Sequence, residues 1–265
     1  MLRVVGRRAD GYHLLQTVFQ LLDYGDELDF TVREDGAVRR YGDAAGIPPE
    51  SDLAVRAALL LQRETGCPLG ADLVLRKRIP LGGGLGGGSS DAATTLRALN
   101  RLWGLRLTED RLATLGLALG ADVPVFVRGR SAWSEGVGEV LTPIDLPESW
   151  YAVVRPPCAV STAAVFADPD LTRNSPLITM PVFFAGSRRN DCLGVVARRY
   201  PEVAAALAWL GRHGEARLTG TGSCVFAAFD CEARAREAIA ALPARYEGFV
   251  ARGINRSPVL ALDGP

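Results

Sequence analysis

Apolar and polar positions change period several times along these 265 residues. Leu2 to Val5 is an apolar run, Asp10-Gly11 is a turn signal, and Leu14 to Leu22 is a second apolar run ending at Asp23-Tyr24-Gly25-Asp26. Strands and turns are expected there. Glu27 to Val32 alternates with period two and predicts another strand. The spacing becomes helical from Leu53 to Leu61, with Ala54, Ala57 and Ala58 on the apolar face and Gly66 and Pro68 as the stop. Asp72 to Ile79 alternates again and predicts a strand. Farther on, Ala92, Ala93, Leu96, Leu99, Leu102 and Trp103 recur at helical spacing. Two successive helices are predicted, Ser90 to Trp103 and Thr108 to Leu119, the second with Thr108 as N-cap and Glu109 and Asp110 in its first turn. Gly120 to Pro124 ends that helix, Val125 to Val127 is expected to be extended, and Gly129, Gly136 and Gly138 mark tight turns.

A proline- and acid-rich stretch from Thr142 to Ser149 suggests a boundary, dividing the chain into domains 1–145 and 146–265. Beyond it, strands are predicted at Tyr151 to Arg155, Ala216 to Leu218, Ser223 to Phe229 and Gly248 to Arg252. Helices are predicted at Pro201 to Leu210 and Glu232 to Leu242, and Asp168 to Met180 reads as a loop. The expected class is α+β, with helices on one face of a sheet in the second half.

Charge and composition narrow the function. Thirty basic and thirty acidic residues cancel, so no overall field recruits nucleic acid or an anionic membrane. No apolar run approaches the roughly 20 residues of a membrane span, and M-L-R-V-V-G-R-R does not read as a secretory signal; a cytoplasmic location is expected. Cys67, Cys158, Cys192, Cys224 and Cys231 are scattered without a C-x-x-C pair, which argues against a disulfide framework or a zinc site. Cys224, on an apolar strand, reads as core. With His13 and His213 the only histidines, no resident metal centre is expected. Lys77 is the only lysine; it stands between Arg76 and Arg78 and suits either a nucleotide contact or a solvated strand position.

The greatest departure from average composition is P-L-G-G-G-L-G-G-G-S-S-D-A-A, from Pro80 to Ala93. Glycine weakens any ordered element, so such density is expected only where bare backbone is needed. A strand precedes it and a helix follows, and unpaired N–H groups at a helix start attract an anion. Ser89 and Ser90 suit the N-cap. A flexible linker would not be flanked by ordered elements. A Walker A loop needs a Gly-Lys that is absent here. Gly82, Gly84 and Gly87 match G-x-G-x-x-G, but the helix expected next, where a βαβ unit needs a strand, weighs against a dinucleotide site.

The tract resembles the signature loop of the GHMP kinases. G-R-R-A-D-G-Y-H at Gly6 to His13, G-A-D-V-P-V-F at Gly120 to Phe126 and L-T-G-T-G-S-C-V-F at Leu218 to Phe226 follow in that family's order. The resemblance implies a two-domain fold, N-terminal ribosomal-protein-S5-domain-2-like and C-terminal ferredoxin-like α/β sandwich. It also implies ATP-dependent phosphorylation of the 2-hydroxyl of 4-diphosphocytidyl-2-C-methyl-D-erythritol in non-mevalonate isoprenoid precursor biosynthesis, with ATP carrying Mg2+. By the same resemblance Pro80, Leu81, Gly82, Gly83, Gly84, Leu85, Gly86, Gly87, Gly88, Ser89 and Ser90 bind ATP. Asp122 then acts at the accepting hydroxyl, Tyr12 stacks on the cytosine and His13 hydrogen-bonds to it.

The chemistry of these side chains agrees. A carboxylate can orient and deprotonate an alcohol attacking phosphorus, and an aromatic face beside a directional polar group holds a flat heterocycle. Two departures from the family pattern stand out. The family opens with P-A-K-[IL]-N, whose lysine is paired with the catalytic aspartate; the resemblance puts that lysine three or four residues before Met1, and Lys77 does not replace it. This keeps a second reading, a GHMP-fold nucleotide-binding protein with impaired or no turnover, beside the weaker one of a dinucleotide-dependent oxidoreductase. Arg189 also stands where some members place an aromatic before Asn190-Asp191, leaving Arg189, Phe183 or Phe184 to cover the cytosine.

Overall fold

The structure, a computed structural model, describes residues 1–42 and 46–263. Strand β1 (Leu2–Arg7) turns through Asp10-Gly11 into β2 (His13–Phe19), and the short β3 (Leu21–Leu22) follows. After β4 (Glu27–Arg33) and β5 (Val38–Tyr41) comes α1 (Leu53–Thr65), started by the Asp52 carboxylate accepting from the Ala54 N–H and stopped by left-handed Gly66. Then come β6 (Gly70–Arg76), the glycine tract, α2 (Gly87–Leu102), α3 (Glu109–Leu119) and α4 (Val123–Arg128). Thr108 caps α3 as expected, accepting from the Arg111 N–H. The remaining elements are β7 (Ala132–Glu135), β8 (Val140–Pro143), β9 (Trp150–Arg155), α5 (Thr162–Ala167), α6 (Met180–Phe184), α7 (Leu193–Arg199), α8 (Pro201–Leu210), β10 (Arg217–Leu218), β11 (Val225–Phe229), α9 (Glu232–Ala240) and β12 (Glu247–Ile254).

Two compact units emerge. One comprises residues Tyr24–Leu81, Gly86–Arg130 and Arg256–Pro265. Its sheet has the order β4-β6-β5; β4 runs antiparallel to β6, while β5 is parallel to it and reaches it through the α1 crossover. Ala54, Ala57 and Ala58 of α1 and Ala92 and Ala93 of α2 are buried, and such small side chains let the two helices approach closely. Leu61, Leu73, Leu96, Leu99, Val123 and Val127 fill the same core. Val123 and Val127 explain why the segment expected to be extended is helical. Their burial against α3 at Gly116, where an added Cβ would lie 2.8 Å from Val123, overrides the modest helix propensity of valine.

The other unit comprises Met1–Asp23, Gly82–Leu85 and Ser131–Asn255. It holds an antiparallel sheet β1-β2-β7-β8 and a five-stranded sheet β10-β11-β9-β12-β3. In the latter, helices follow β9 and β11 while β10 and β11 are consecutive, and the four strands β9 to β12 stand in the order of a ferredoxin-like sandwich, as the resemblance implies. Ala152 and Val154 of β9 and Val225 and Ala227 of β11 meet α8 and α9 residues such as Leu210 and Ala235 in one core. The contacts do not divide at the expected cut between 145 and 146. Strand pairing is the reason: β3 joins β12 through Leu22 and Gly253, and Leu2 bridges to Asn190. Among the described residues no helix is long and apolar enough to cross a membrane.

Candidate active site

Gly82, Gly84 and Gly86 all take left-handed φ, at 67°, 71° and 70°, conformations that other L-residues resist. Gly86 is the N-cap of α2 and has no side chain to cap with. Ser89 and Ser90 are therefore not N-caps, as expected from sequence, but first-turn residues; the helix begins as soon as the left-handed glycine ends. The Ser90 N–H donates to the Gly86 carbonyl at 2.8 Å. The N–H groups of Gly87, Gly88 and Ser89 have no acceptor among the described residues. Three free donors and the positive end of a 16-residue helix make an anion site.

Beneath this terminus lies a buried charge cluster. Lys77, just past β6, donates to Asp91 of α2 at 2.7 Å and also to Asp26. Its side chain is 9% exposed, so it is not the solvated residue its two arginine neighbours suggested. Asp26 also accepts from the main-chain N–H groups of Arg78 at 2.6 Å and Ile79 at 2.8 Å, tying the approach to the tract onto the start of β4. Two carboxylates share one ammonium. Desolvation, reinforced by Asp26 and opposed by Lys77, pushes the Asp91 carboxyl up to about 7.

Asp122 precedes the first residue of α4 and caps nothing. Its carboxylate is reached by solvent and has no hydrogen bond or ion pair among the described residues. Surrounding protein still desolvates it and raises its pKa. One turn on, the Phe126 ring lies where a Cβ on Gly86 would be, 2.6 Å from its tip. Asp122 and the free N–H groups of α2 thus belong to one packed helix pair. Pro80 and Leu81 belong to the same unit.

In the other unit, Gly82 to Leu85 is held by the T-G-T-G-S-C turn. The Ser223 N–H donates to Gly82 O at 3.2 Å, the Cys224 N–H to Gly83 O at 3.1 Å, and Thr219 Oγ1 to Gly84 O at 2.8 Å. A Cβ on Gly84 would come within 2.6 Å of Thr219 O. Asn190 steadies the turn by donating to the carbonyls of Leu218 at 3.1 Å and Gly220 at 2.8 Å. Asp191 accepts from the Val4 N–H at 2.8 Å and from Ser175 Oγ at 2.6 Å. Cys224 is buried, as expected of core.

The same unit holds Tyr12 and His13. The Tyr12 ring, 65% exposed, leaves the β1–β2 turn free to stack. His13 starts β2 against Phe166, with ring centroids 4.9 Å apart and planes at 31°. Arg173 Nε donates to His13 Nε2 at 3.1 Å. Phe166 and Arg173 escape sequence reasoning; an aromatic at the end of a short helix and an arginine in a loop carry no motif. Phe183 is buried edge-on against Trp133 at 6.0 Å, and Arg189 is drawn 2.5 Å from Asp191, so neither presents a free face.

Comparison with known proteins bears on the fold and the site together. The model for the N-terminal domain of GHMP kinases matches residues 52–130, and that for their C-terminal domain matches 183–248. A crystal structure of 4-(cytidine 5'-diphospho)-2C-methyl-D-erythritol kinase superposes with a TM-score of 0.81 at 33% identity, over 95% of this chain and 94% of that one. A mevalonate kinase structure, at 14% identity and TM-score 0.66 over 93% of this chain and 94% of its own, shares the fold. Fold and site thus define a small-molecule kinase of the GHMP class. The 4-diphosphocytidyl-2-C-methyl-D-erythritol kinase of Pseudomonas savastanoi pv. phaseolicola is 61% identical over 97% of this chain and 89% of its own. That of Alkalilimnicola ehrlichii is 60% identical over 98% and 89%. The chain belongs to this kinase family. The dinucleotide reading falls, because α2 leads into α3 and α4 where a βαβ unit needs a strand. Relatives named as kinases do not favour a non-catalytic binder.

Proposed function

We propose that this chain transfers the γ-phosphoryl group of ATP to the 2-hydroxyl of 4-diphosphocytidyl-2-C-methyl-D-erythritol, in isoprenoid precursor biosynthesis. One observation carries the assignment of roles. The three unpaired N–H groups opening α2 share a helix pair with Asp122, a carboxylate without a partner. The N–H groups of Gly87, Gly88 and Ser89 hold phosphate oxygens, with the serine hydroxyls as further donors. Gly82, Gly83, Gly84 and Gly86 supply the bare backbone that lets phosphates approach, and Pro80, Leu81 and Leu85 complete the binding tract. Asp122 orients the 2-hydroxyl and takes its proton as that oxygen bonds to the γ-phosphorus. The bond from the γ-phosphorus to the bridging oxygen breaks, and ADP leaves with the electron pair. Positioning and electrostatics supply most of the rate in such transfers. Tyr12 and Phe166 offer ring faces to the cytosine, and His13 bonds to its edge. Magnesium enters with the nucleotide. Among the described residues no three His, Cys, Asp or Glu side chains converge as a metal cage, and Mg2+ held by phosphates and water needs few carboxylates.

The test is ADP formation by the purified chain with and without the cytidyl substrate. Substrate-dependent ADP is the expected result. ATP binding without substrate-dependent turnover would overturn the reading.

A further inference from the structure

Arg173, in the loop after α5, spends most of its guanidinium on main-chain carbonyls. Nη1 donates to Leu171 O at 3.1 Å, and Nη2 to Phe166 O at 2.8 Å and Asp168 O at 2.7 Å. This frame is itself anchored. The Asp168 carboxylate accepts from Arg198 at 2.8 Å and Arg199 at 2.9 Å at the end of α7. Only with its plane fixed in this way does Nε–H point at His13 Nε2, 3.1 Å away.

A guanidinium donates and never accepts, and it stays protonated. His13 Nε2 must therefore be a lone pair, and the neutral ring carries its proton on Nδ1. That Nδ1–H has no acceptor among the described residues. The ring lies against Phe166, next in sequence to the exposed Tyr12.

We propose that Arg173 is a positioning residue that sets base specificity: it locks His13 in the Nδ1–H form, so the pocket presents a fixed donor to position 3 of a pyrimidine. Cytosine offers a lone pair there and is accepted. Uracil offers N3–H, which sets donor against donor, and is rejected. The inference rests on the cytidyl substrate proposed above and adds the device that tells it from a uridyl one. Protonating His13 would remove the acceptor and bring two cations into contact. Arg7 on β1 adds a third positive charge, and the acidic groups of the adjoining loop, Asp168 and Asp170, are already spent on Arg198 and Arg199. Burial, then Arg173, then Arg7 hold the His13 pKa below its ordinary value. Lysine would not substitute, since one ammonium does not span three carbonyls and an imidazole.

Two histidines in the chain make the tautomer directly readable. Two-bond 15N–1H correlation on the uniformly labelled protein, without substrate, is expected to show His13 as the Nδ1–H form at about pH 8, above the ordinary histidine value of about 6.5. An Nε2–H form would overturn the proposal whatever the enzyme turns over. Kinetics supply the second arm, comparing the cytidyl substrate with its uridine diphosphate analogue. In Arg173→Met, loss of one oriented hydrogen bond should raise KM for the cytidyl substrate about tenfold, leave kcat nearly unchanged, and reduce discrimination about tenfold. Arg173→Lys should not rescue it. Equal use of both substrates by the unaltered chain would also overturn the proposal. Failure to use either one would instead sink the proposed function and leave the tautomer arm standing.

Discussion

The role proposed for Asp122 rests on what it lacks. Carboxylates next to a helix start usually cap it, yet this one caps nothing and pairs with nothing among the described residues. Replacing it should therefore cost little stability and much rate. Asp122→Asn is expected to lower kcat by about 10²- to 10⁴-fold, with KM for ATP and the thermal midpoint nearly unchanged; a variant keeping full kcat would remove Asp122 from the mechanism. Its raised pKa also has a sign. The ionised form accepts the proton, so kcat should fall as pH drops through the carboxyl pKa, and that limb should vanish in Asp122→Asn. At this scale the candidates Asp122, Tyr12 and His13 could be picked out of the sequence because each sits inside a short motif. Phe166 and Arg173 were not, because Arg173 meets His13 across 160 residues of chain and only folding selects such a partner.

At the scale of elements, the glycine tract and its supports can be separated by experiment. Gly84→Ala places a Cβ 2.6 Å from Thr219 O at a φ of 71°. Main chain on both sides cannot yield cheaply, so the tract should shift, costing about 1–3 kcal/mol and raising KM for ATP more than KM for the cytidyl substrate. Titration of ATP binding by calorimetry checks it. Lys77→Met leaves Asp26 and Asp91 buried without a cation and should destabilise the fold by about 3–5 kcal/mol. The pH dependence follows from Asp91. Its folded pKa of about 7 lies above the ordinary 3.8, so the folded state binds the proton more tightly. The stability tied to this proton is complete below the unfolded pKa and lost as pH rises through about 7. Urea unfolding should therefore show stability declining from about pH 4 to about pH 7 and levelling off above, and Asp91→Asn should flatten that decline. Helical spacing and cap chemistry revealed α1, α2 and α3 in the sequence. They misplaced the start of α2, because serine capping preferences ignore the left-handed turn that a preceding glycine makes free. They misread Val125 to Val127 because β-branched residues favour strands until burial on a neighbouring helix outweighs that preference.

For the whole molecule, the expected cut between 145 and 146 makes a sharp prediction. Separately produced fragments 1–145 and 146–265 should not fold alone. The first would carry β1, β2 and β3 without β12 and Asn190; the second would carry β12 without β3. Circular dichroism and urea titration of each fragment check this, and cooperative unfolding of either one would show the cut to be a true domain boundary. By itself the sequence determined the class, the glycine tract proposed to hold phosphate, its order among three further motifs, and the acid after α3. Each is written in local spacing, where periodicity, glycine and turn residues act over a few positions. Only the tertiary structure decided that Lys77 is buried between two carboxylates, that the T-G-T-G-S-C turn holds Gly82 to Gly84, and that Arg173 orients His13. Those outcomes depend on which distant groups burial leaves to share hydrogen bonds and charge, and no local pattern encodes that pairing.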